Sequence, residues 1–269
     1  MAARSPARFR TIQGLTQGLA GCSQRREFIS LLGGVAAVRD RIIKRTPFDE
    51  PFLRVACYQL TLPIEPSDLA ALNAARGEGP IFVSAKIDAS DDDTAKRLGQ
   101  LGFRRICTQM LLRVRLDGAP RAAGHVLITE RLDLDPADVR IHAAQLGGRF
   151  RQDPLIVTDA ATDLYAAWVR NSTRGEKRIA SIGRNFVSFE DRAGVRWIDL
   201  VSVLDKRQGI AVKILAATIG DAWRNRLEEV KVVTGSDNIP ALGAYGKAGF
   251  ELERSLGIFH LFSPVREIA

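Results

Sequence analysis

The chain has 269 residues, 46% of them apolar and 26% charged, with a formal net charge of +8 at pH 7. That size suits one or two globular domains, and no apolar run approaches the ~18 residues of a membrane span, so no membrane partner is expected. Residues 1–45 hold nine Lys/Arg against two Asp/Glu, whereas the other 224 residues hold 30 against 29; a nearly neutral body argues against a nucleic-acid partner.

The N-terminal segment contains "SQRREFISLLGGVAAV" (Ser23–Val38), in which Arg25 and Arg26 precede a short apolar run. This resembles a twin-arginine export signal. The leader before it is long, the apolar core is only about ten residues with two glycines, and "RDRIIKR" follows at once. The expectation is an appended N-terminal helix, or an upstream start, on a cytoplasmic protein. Cleavage after Ala37 and export is the alternative.

From residue 46 the pattern becomes α/β. Phe52–Leu62 reads as a strand. "EPSDLAALNAARGEG" reads as a helix, with Pro66 near its start, Ser67 and Asp68 as caps and Gly77 after its end. "PIFVSAKI" is a second strand, "DASDDDTAKRLGQLGF" a helix closed by Gly102, and "RRICTQMLLRVRL" a third strand. Asp117–Gly124 is the best linker in the chain.

A second α/β block follows. "HVLITERL" is a strand, and Asp135 caps a helix whose first residue is Pro136. Another helix ends near Gly175. "KRIASIG", "NFVSFED" and "VRWIDLVSVL" are strands, the last two joined by the tight turn "RAG" as an antiparallel hairpin. "GIAVKILAATIGDAWRNRL" is a helix with Ile214, Leu215, Ile219, Ala222 and Trp223 on one face. "VKVVTG" is a strand, "NIPALGAYGKAG" a helix, and "FELERSLGIFHLF" one or two closing strands. The predicted organisation is an extension over 1–45, a smaller α/β domain over 46–122 and a main domain over 123–269.

The two blocks echo each other. "DDDTAKRLGQLGF" and "DNIPALGAYGKAGF" both run from helix through Gly-Phe to strand, so Leu98 aligns with Tyr245 and Asp91 with Asn238. Either these are related halves, or both are ordinary helix stops.

Cys22, Cys57 and Cys107 form no CxxC, and His125, His142 and His260 are isolated. Neither a disulfide framework nor a metal site is expected. The informative region is Arg196–Phe262. There the strand "RWIDLVSV" feeds the basic loop "LDKRQ", and Gly209 opens a helix. Backbone amides at a helix start attract anions, and Lys206 and Arg207 add positive charge, so the loop reads as a pyrophosphate site. It has neither the spacing of a Walker A loop nor that of a dinucleotide fingerprint. Next, Asn238, Ala241 and Tyr245 share one helical face. A tyrosine beside a phosphate-type loop suits acyl transfer from a thioester, because a phenol can protonate the departing thiolate.

These residues resemble the acyl-CoA half of the GNAT N-acetyltransferase superfamily. "KRQGIA" is similar to the motif Q/R-x-x-G-x-G/A, with Lys206 at the usual Gln/Arg position, Arg207 adjacent and a shortened loop. "NIPALGAYGKAGF" matches N-x-x-A-x-x-x-Y-x-x-x-G-F in full. The resemblance implies a mixed, mostly antiparallel central sheet flanked by helices. It implies acetyl-CoA as co-substrate, a small-molecule amine as acceptor and no metal; a homodimer is compatible with it. Pantetheine amides would pair with backbone at Val201 and Val203, and the pyrophosphate would sit on the amides of Gln208, Gly209, Ile210 and Ala211. Tyr245 would protonate the leaving thiolate, and Asn238 would contact the cofactor arm.

Residues 46–264 further resemble the dTDP-fucosamine acetyltransferases, through "FDEPF", "SAKI…LGQLGF" and "FRQDPLI…TDLYAAWVRNSTRGEKRIA". That implies a nucleotide-linked amino sugar as acceptor. Glu190 and Asp199 are candidate bases, with surface carboxylates as the plainer reading. Arg149, Arg151, Arg170, Asn171 and Arg174 either bind a diphosphate or are exposed helix ends. Two other functions stay open: acetylation of another small amine or a protein N-terminus, and a non-catalytic acyl-CoA-binding module.

Overall fold

The structure is a computed structural model describing residues 43–61, 63, 66–118 and 126–263. The twin-arginine stretch, Cys22, His125 and all but the first two residues of the Asp117–Gly124 linker lie outside the described residues.

The first half contains β1 (Ile43–Arg45), α1 (Glu50–Leu53), β2 (Ala56–Leu60), α2 (Pro66–Glu78), β3 (Ile81–Asp88), α3 (Asp92–Gln100) and β4 (Arg104–Arg115). The second contains β5 (Leu127–Arg131), α4 (Pro136–Gln145), α5 (Arg149–Gln152), α6 (Thr158–Thr173), β6 (Arg174–Ile182), β7 (Asn185–Arg192), β8 (Val195–Ser202), α7 (Ile210–Arg224), β9 (Glu229–Gly235), α8 (Ile239–Lys247) and β10 (Glu251–Ser263). The strands form one sheet, ordered β1-β2-β3-β10-β4-β9-β8-β7-β6-β5. Only β2/β3 and β8/β9 pair in parallel. The sheet is therefore mixed and mostly antiparallel, with helices flanking it.

Four local readings change. α2 runs Pro66–Glu78, so Gly77 lies inside it rather than after its end, and Ser67 and Asp68 fall in its first turn rather than at the cap. Phe52–Leu62 is not one strand: Pro51 starts a short helix, Arg54 closes it in the left-handed region at φ 54°, and the strand begins at Ala56. Trp223 is 42% exposed, because the face of α7 that meets the sheet runs through Ile214, Leu215, Ile219 and Ala222. The closing segment is a single thirteen-residue strand. The hairpin turn holds: Ala193 and Gly194 both have positive φ (48° and 79°), as a two-residue turn of this twist requires.

The halves interleave. β10 lies between β3 and β4, and β4 lies between β10 and β9. Exchanging β2 with β8, β3 with β9 and β4 with β10 maps the central strand order onto itself. The echoed helix stops occupy equivalent places. Asp91 accepts from the Thr94 amide (3.0 Å), and Asn238 from that of Ala241 (3.4 Å). Gly102 and Gly249 turn the chain at φ 89° and 94°. The amides of Phe103 and Phe250 return to the carbonyls of Leu98 and Tyr245, each at 3.0 Å.

Apolar burial sits on both sheet faces. Leu164, Tyr165 and Val169 of α6 pack with Phe186 and Leu200 on one face. Ile214, Leu215, Ile219 and Tyr245 pack with Val187, Ile198 and Val232 on the other. Arg196 pins β8 to α7 from a fully buried position. Its guanidinium donates to both oxygens of Asp191 (2.7 Å each), to Asp221 (2.8 Å) and to the Thr218 carbonyl (2.9 Å), 4.2 Å over the Phe189 ring. A desolvated cation survives only with such complete pairing.

Candidate functional site

The site starts from a break in pairing. The parallel β8/β9 ladder ends at Ile198↔Val232. Beyond it β8 stays on β7 as far as Ser202, and β9 stays on β4 as far as Gly235. The edges Asp199–Ser202 and Val233–Gly235 therefore diverge and leave backbone groups of both strands without a strand partner. A bulge coincides with the divergence: Ser188 faces Leu200 and Phe189 faces Ile198, so Asp199 is the extra residue. A bulge bends its strand and puts two successive side chains on one face. Accordingly Asp199 and Leu200 both meet α6.

At the open end of this wedge the chain turns into α7. Arg207 and Gly209 both adopt the left-handed region (φ 65° and 70°), and Gly209 is the N-cap. The first internal bond of the turn is from the Lys213 amide to the Gly209 carbonyl (3.1 Å). The amides of Gln208, Gly209, Ile210 and Ala211 donate to no acceptor among the described residues. Orphan amides at the start of a fifteen-residue helix form an anion-binding cradle. Lys206, Arg207 and Gln208 are exposed around it.

Sequence reasoning did not single out the residue that shapes this loop. Asn185 accepts from the amides of Leu204 (2.8 Å) and Asp205 (3.1 Å) and donates to the Asp205 carboxylate (2.8 Å) and the Ile182 carbonyl (3.0 Å). Its only sequence signal is its place opening β7 after Gly183. Gln145 is a second such residue: its amide reaches the Ser202 hydroxyl and the Val203 carbonyl, both at 3.4 Å, beside the buried His142–Ser202 contact (2.7 Å).

Tyr245 is buried in the apolar cluster that includes Val201, Ile210 and Val232, edge-on to Phe250 at 5.4 Å. Burial raises its pKa, so the phenol stays protonated. Asn238 caps α8 and donates to Thr234 (3.4 Å), so in this state it organises the turn after β9.

The two candidate bases differ. Asp199 is no surface carboxylate. It is fully buried and accepts from Ser172 (2.7 Å), Ser188 (3.3 Å) and the Trp168 indole (3.2 Å), and it pairs with Lys177 (2.5 Å). A carboxylate so fully engaged organises its surroundings. Glu190 pairs with Arg192 through one oxygen (2.7 Å), while Oε1 is buried without a partner. Arg170, Asn171 and Arg174 are exposed on α6 and the start of β6. Arg151 is used internally, donating to the carbonyls of Leu146 and Ala143 and lying over Tyr165. Arg149 belongs to a separate cluster described below. Cys57 and Cys107 are free thiols, and among the described residues no group of three or more His, Cys, Asp or Glu could hold a metal ion.

No protein-family model matches the chain. Its fold is similar to that of a GCN5-related N-acetyltransferase from Sphaerobacter thermophilus, with a TM-score of 0.52 over 78% of this chain and 73% of that one at 16% identity. A conserved protein of unknown function from Staphylococcus epidermidis superposes with a TM-score of 0.54 over 90% and 96% of the two chains at 14% identity. Among curated proteins, the spore coat polysaccharide biosynthesis protein SpsD of Bacillus subtilis is 25% identical over 122 residues. That match spans 42% of each chain, so less than half of the curated relative is represented.

Proposed function

We propose that the protein is an N-acetyltransferase that moves an acetyl group from acetyl-CoA to a primary amine. The observation that carries this reading is the wedge between β8 and β9 ending at a helix start whose amides are unpaired. A thioester with a pantetheine arm and a pyrophosphate fits both: the arm's amides pair with backbone at Val201 and Val203, whose carbonyl also receives the Gln145 amide, and the pyrophosphate takes the amides of Gln208–Ala211. β8 ends at Ser202, and just beyond it the Leu204 amide turns to Asn185 of β7; in this reading the Val203 amide faces the wedge. There it stabilises the oxyanion formed as the amine nitrogen attacks the thioester carbon. The carbon–sulfur bond then breaks, Tyr245 gives its proton to the thiolate, and the nitrogen loses a proton to a base. Of the two candidate carboxylates, Glu190 is the one with an oxygen that has no partner among the described residues, which supports it as that base.

The acceptor in this reading is an amino sugar linked to a nucleotide, as in the dTDP-fucosamine acetyltransferases the sequence resembles. The partial likeness to a polysaccharide biosynthesis protein supports that class. Supply of both substrates puts the enzyme in the cytoplasm, and residues 46–122 are then a counterpart half with Leu98 where Tyr245 stands. Thiol release with a panel of amines, dTDP-linked amino sugars included, tests the function. Tyr245→Phe should lower kcat by roughly 100-fold or more with acetyl-CoA binding retained. Undiminished turnover removes the phenol from the mechanism, and acetyl-CoA binding without turnover of any amine favours a non-catalytic module.

A further inference from the structure

Four buried polar atoms on elements of both halves have no hydrogen-bond partner among the described residues. Asp49, at the start of α1, is 2% exposed with Oδ1 unpaired. Arg149, at the start of α5, stacks over Phe150 at 4.6 Å with a buried, unpaired Nε. Gln109 of β4 and Gln152 of α5 each bury an unpaired Oε1. Gln152 donates to Asp237 (2.5 Å), which fixes the carbonyl as its open end. The Thr46 hydroxyl lies beside Asp49, but native interiors leave few polar atoms unpaired, so the others call for a missing partner.

Charge and position narrow that partner. Lys86 shares a sheet face with Cys107 across Ile258 and forms no ion pair among the described residues. Arg149 is within electrostatic range of Asp49, Lys86 and Cys107. Burial, and then repulsion from Arg149, brings Lys86 down to about 7. Asp237 is already engaged by Gln152, whereas Arg149 Nε and the Lys86 ammonium donate to no acceptor among the described residues, so an anion would complete both cations. The three open oxygens of Asp49, Gln109 and Gln152 ask for hydroxyl or ammonium donors. Gln109 pairs with Gly235 at the end of β9, and Asp237 follows that strand, so the cluster adjoins one wall of the wedge.

We propose that Asp49, Lys86, Gln109, Arg149 and Gln152 form the acceptor subsite and select an amine that also carries a phosphate or carboxylate. The anion lies against Arg149 and Lys86, and its hydroxyl or ammonium groups donate to Asp49, Gln109 and Gln152. Both halves thus build the subsite. This rests on the acyltransferase reading for its role, though not for its existence.

Calorimetry on the full chain tests it, with galactosamine 1-phosphate and L-glutamate as anionic amines and galactosamine as the neutral control. Acetyl-CoA is titrated separately. At least one anionic amine should bind ten or more times tighter than galactosamine, and the choice between the first two separates a phosphate from a carboxylate source. Arg149→Met and Lys86→Met should each weaken that binding at least tenfold while leaving acetyl-CoA affinity within twofold; Arg149→Lys should recover part of the loss. Thermal unfolding confirms that each variant is folded. Equal affinity for neutral and anionic amines, or binding that neither variant alters, overturns the proposal. So does failure of every amine to bind a protein that binds acetyl-CoA, and the acyltransferase reading then stands without this subsite. Binding of an anionic amine without any acetyl-CoA affinity upholds the subsite and overturns the acyltransferase reading.

Discussion

At the residue scale, burial decides what each ionisable group contributes. Asp49 is raised to about 6, because burial outweighs the pull of Arg149. The native state therefore holds this proton more tightly than the unfolded chain, whose carboxylate titrates near 4. Stability from this group is present below pH ~4 and is lost as the pH rises to ~6. Asp49→Asn should raise the unfolding free energy at pH 7 by up to about 3 kcal/mol and flatten the dependence between pH 4 and 6 in urea titrations. An unchanged profile would show that the carboxylate is solvated. Asp199 illustrates what the sequence hides at this scale. A carboxylate alternating along a hairpin reads as exposed; the bulge beside Ser188 turns it inward onto Ser172 and Trp168. The placement of Asn238 and Tyr245 at the start and along one helix was legible, because helical spacing is local.

At the element scale, two anchors hold the wedge open. Arg196 ties β8 to α7, and removing its side chain strands Asp191 and Asp221. Arg196→Ala should cost roughly 3–5 kcal/mol, the usual penalty for breaking a buried pair, read from chemical denaturation. A loss below about 1 kcal/mol would place the pair in the surface class. Asn185 sets the loop before α7 through four hydrogen bonds. Asn185→Ala should weaken acetyl-CoA binding about tenfold with the circular dichroism spectrum unchanged. Unaltered affinity would mean that Gly209 and Arg207 shape the loop unaided. A capped element was legible from sequence: Asp135 accepts from the Ala137 amide as expected (2.8 Å). The small helix at Glu50 was not, because it is closed by Arg54 in a conformation that arginine seldom adopts.

At the scale of the whole molecule, the interleaving of β4 and β10 makes the halves interdependent. A fragment covering residues 126–269 lacks β3 and β4, so β9 loses one neighbour and β10 loses both, which leaves open edges on each. It should aggregate or pair with another copy on size exclusion rather than run as a folded monomer. A monomeric fragment with cooperative unfolding would contradict this. The sequence carried the echo between "LGQLGF" and "YGKAGF", because helix stops are local. Strand order is a long-range property, and neither periodicity nor capping encodes which half supplies the strand beside β9. The same holds for the acceptor cluster, whose residues span positions 49 to 152 and meet only once both halves are folded. Acyl-CoA in the β8/β9 wedge would shield the backbone of both strand ends from solvent. Amide hydrogen exchange with and without acetyl-CoA tests it most directly. Protection should concentrate at residues 201–212, in the Val203 strand end and the Gln208–Ala211 cradle, with a second region at 233–245. Absence of binding, or protection confined elsewhere, would contradict the account.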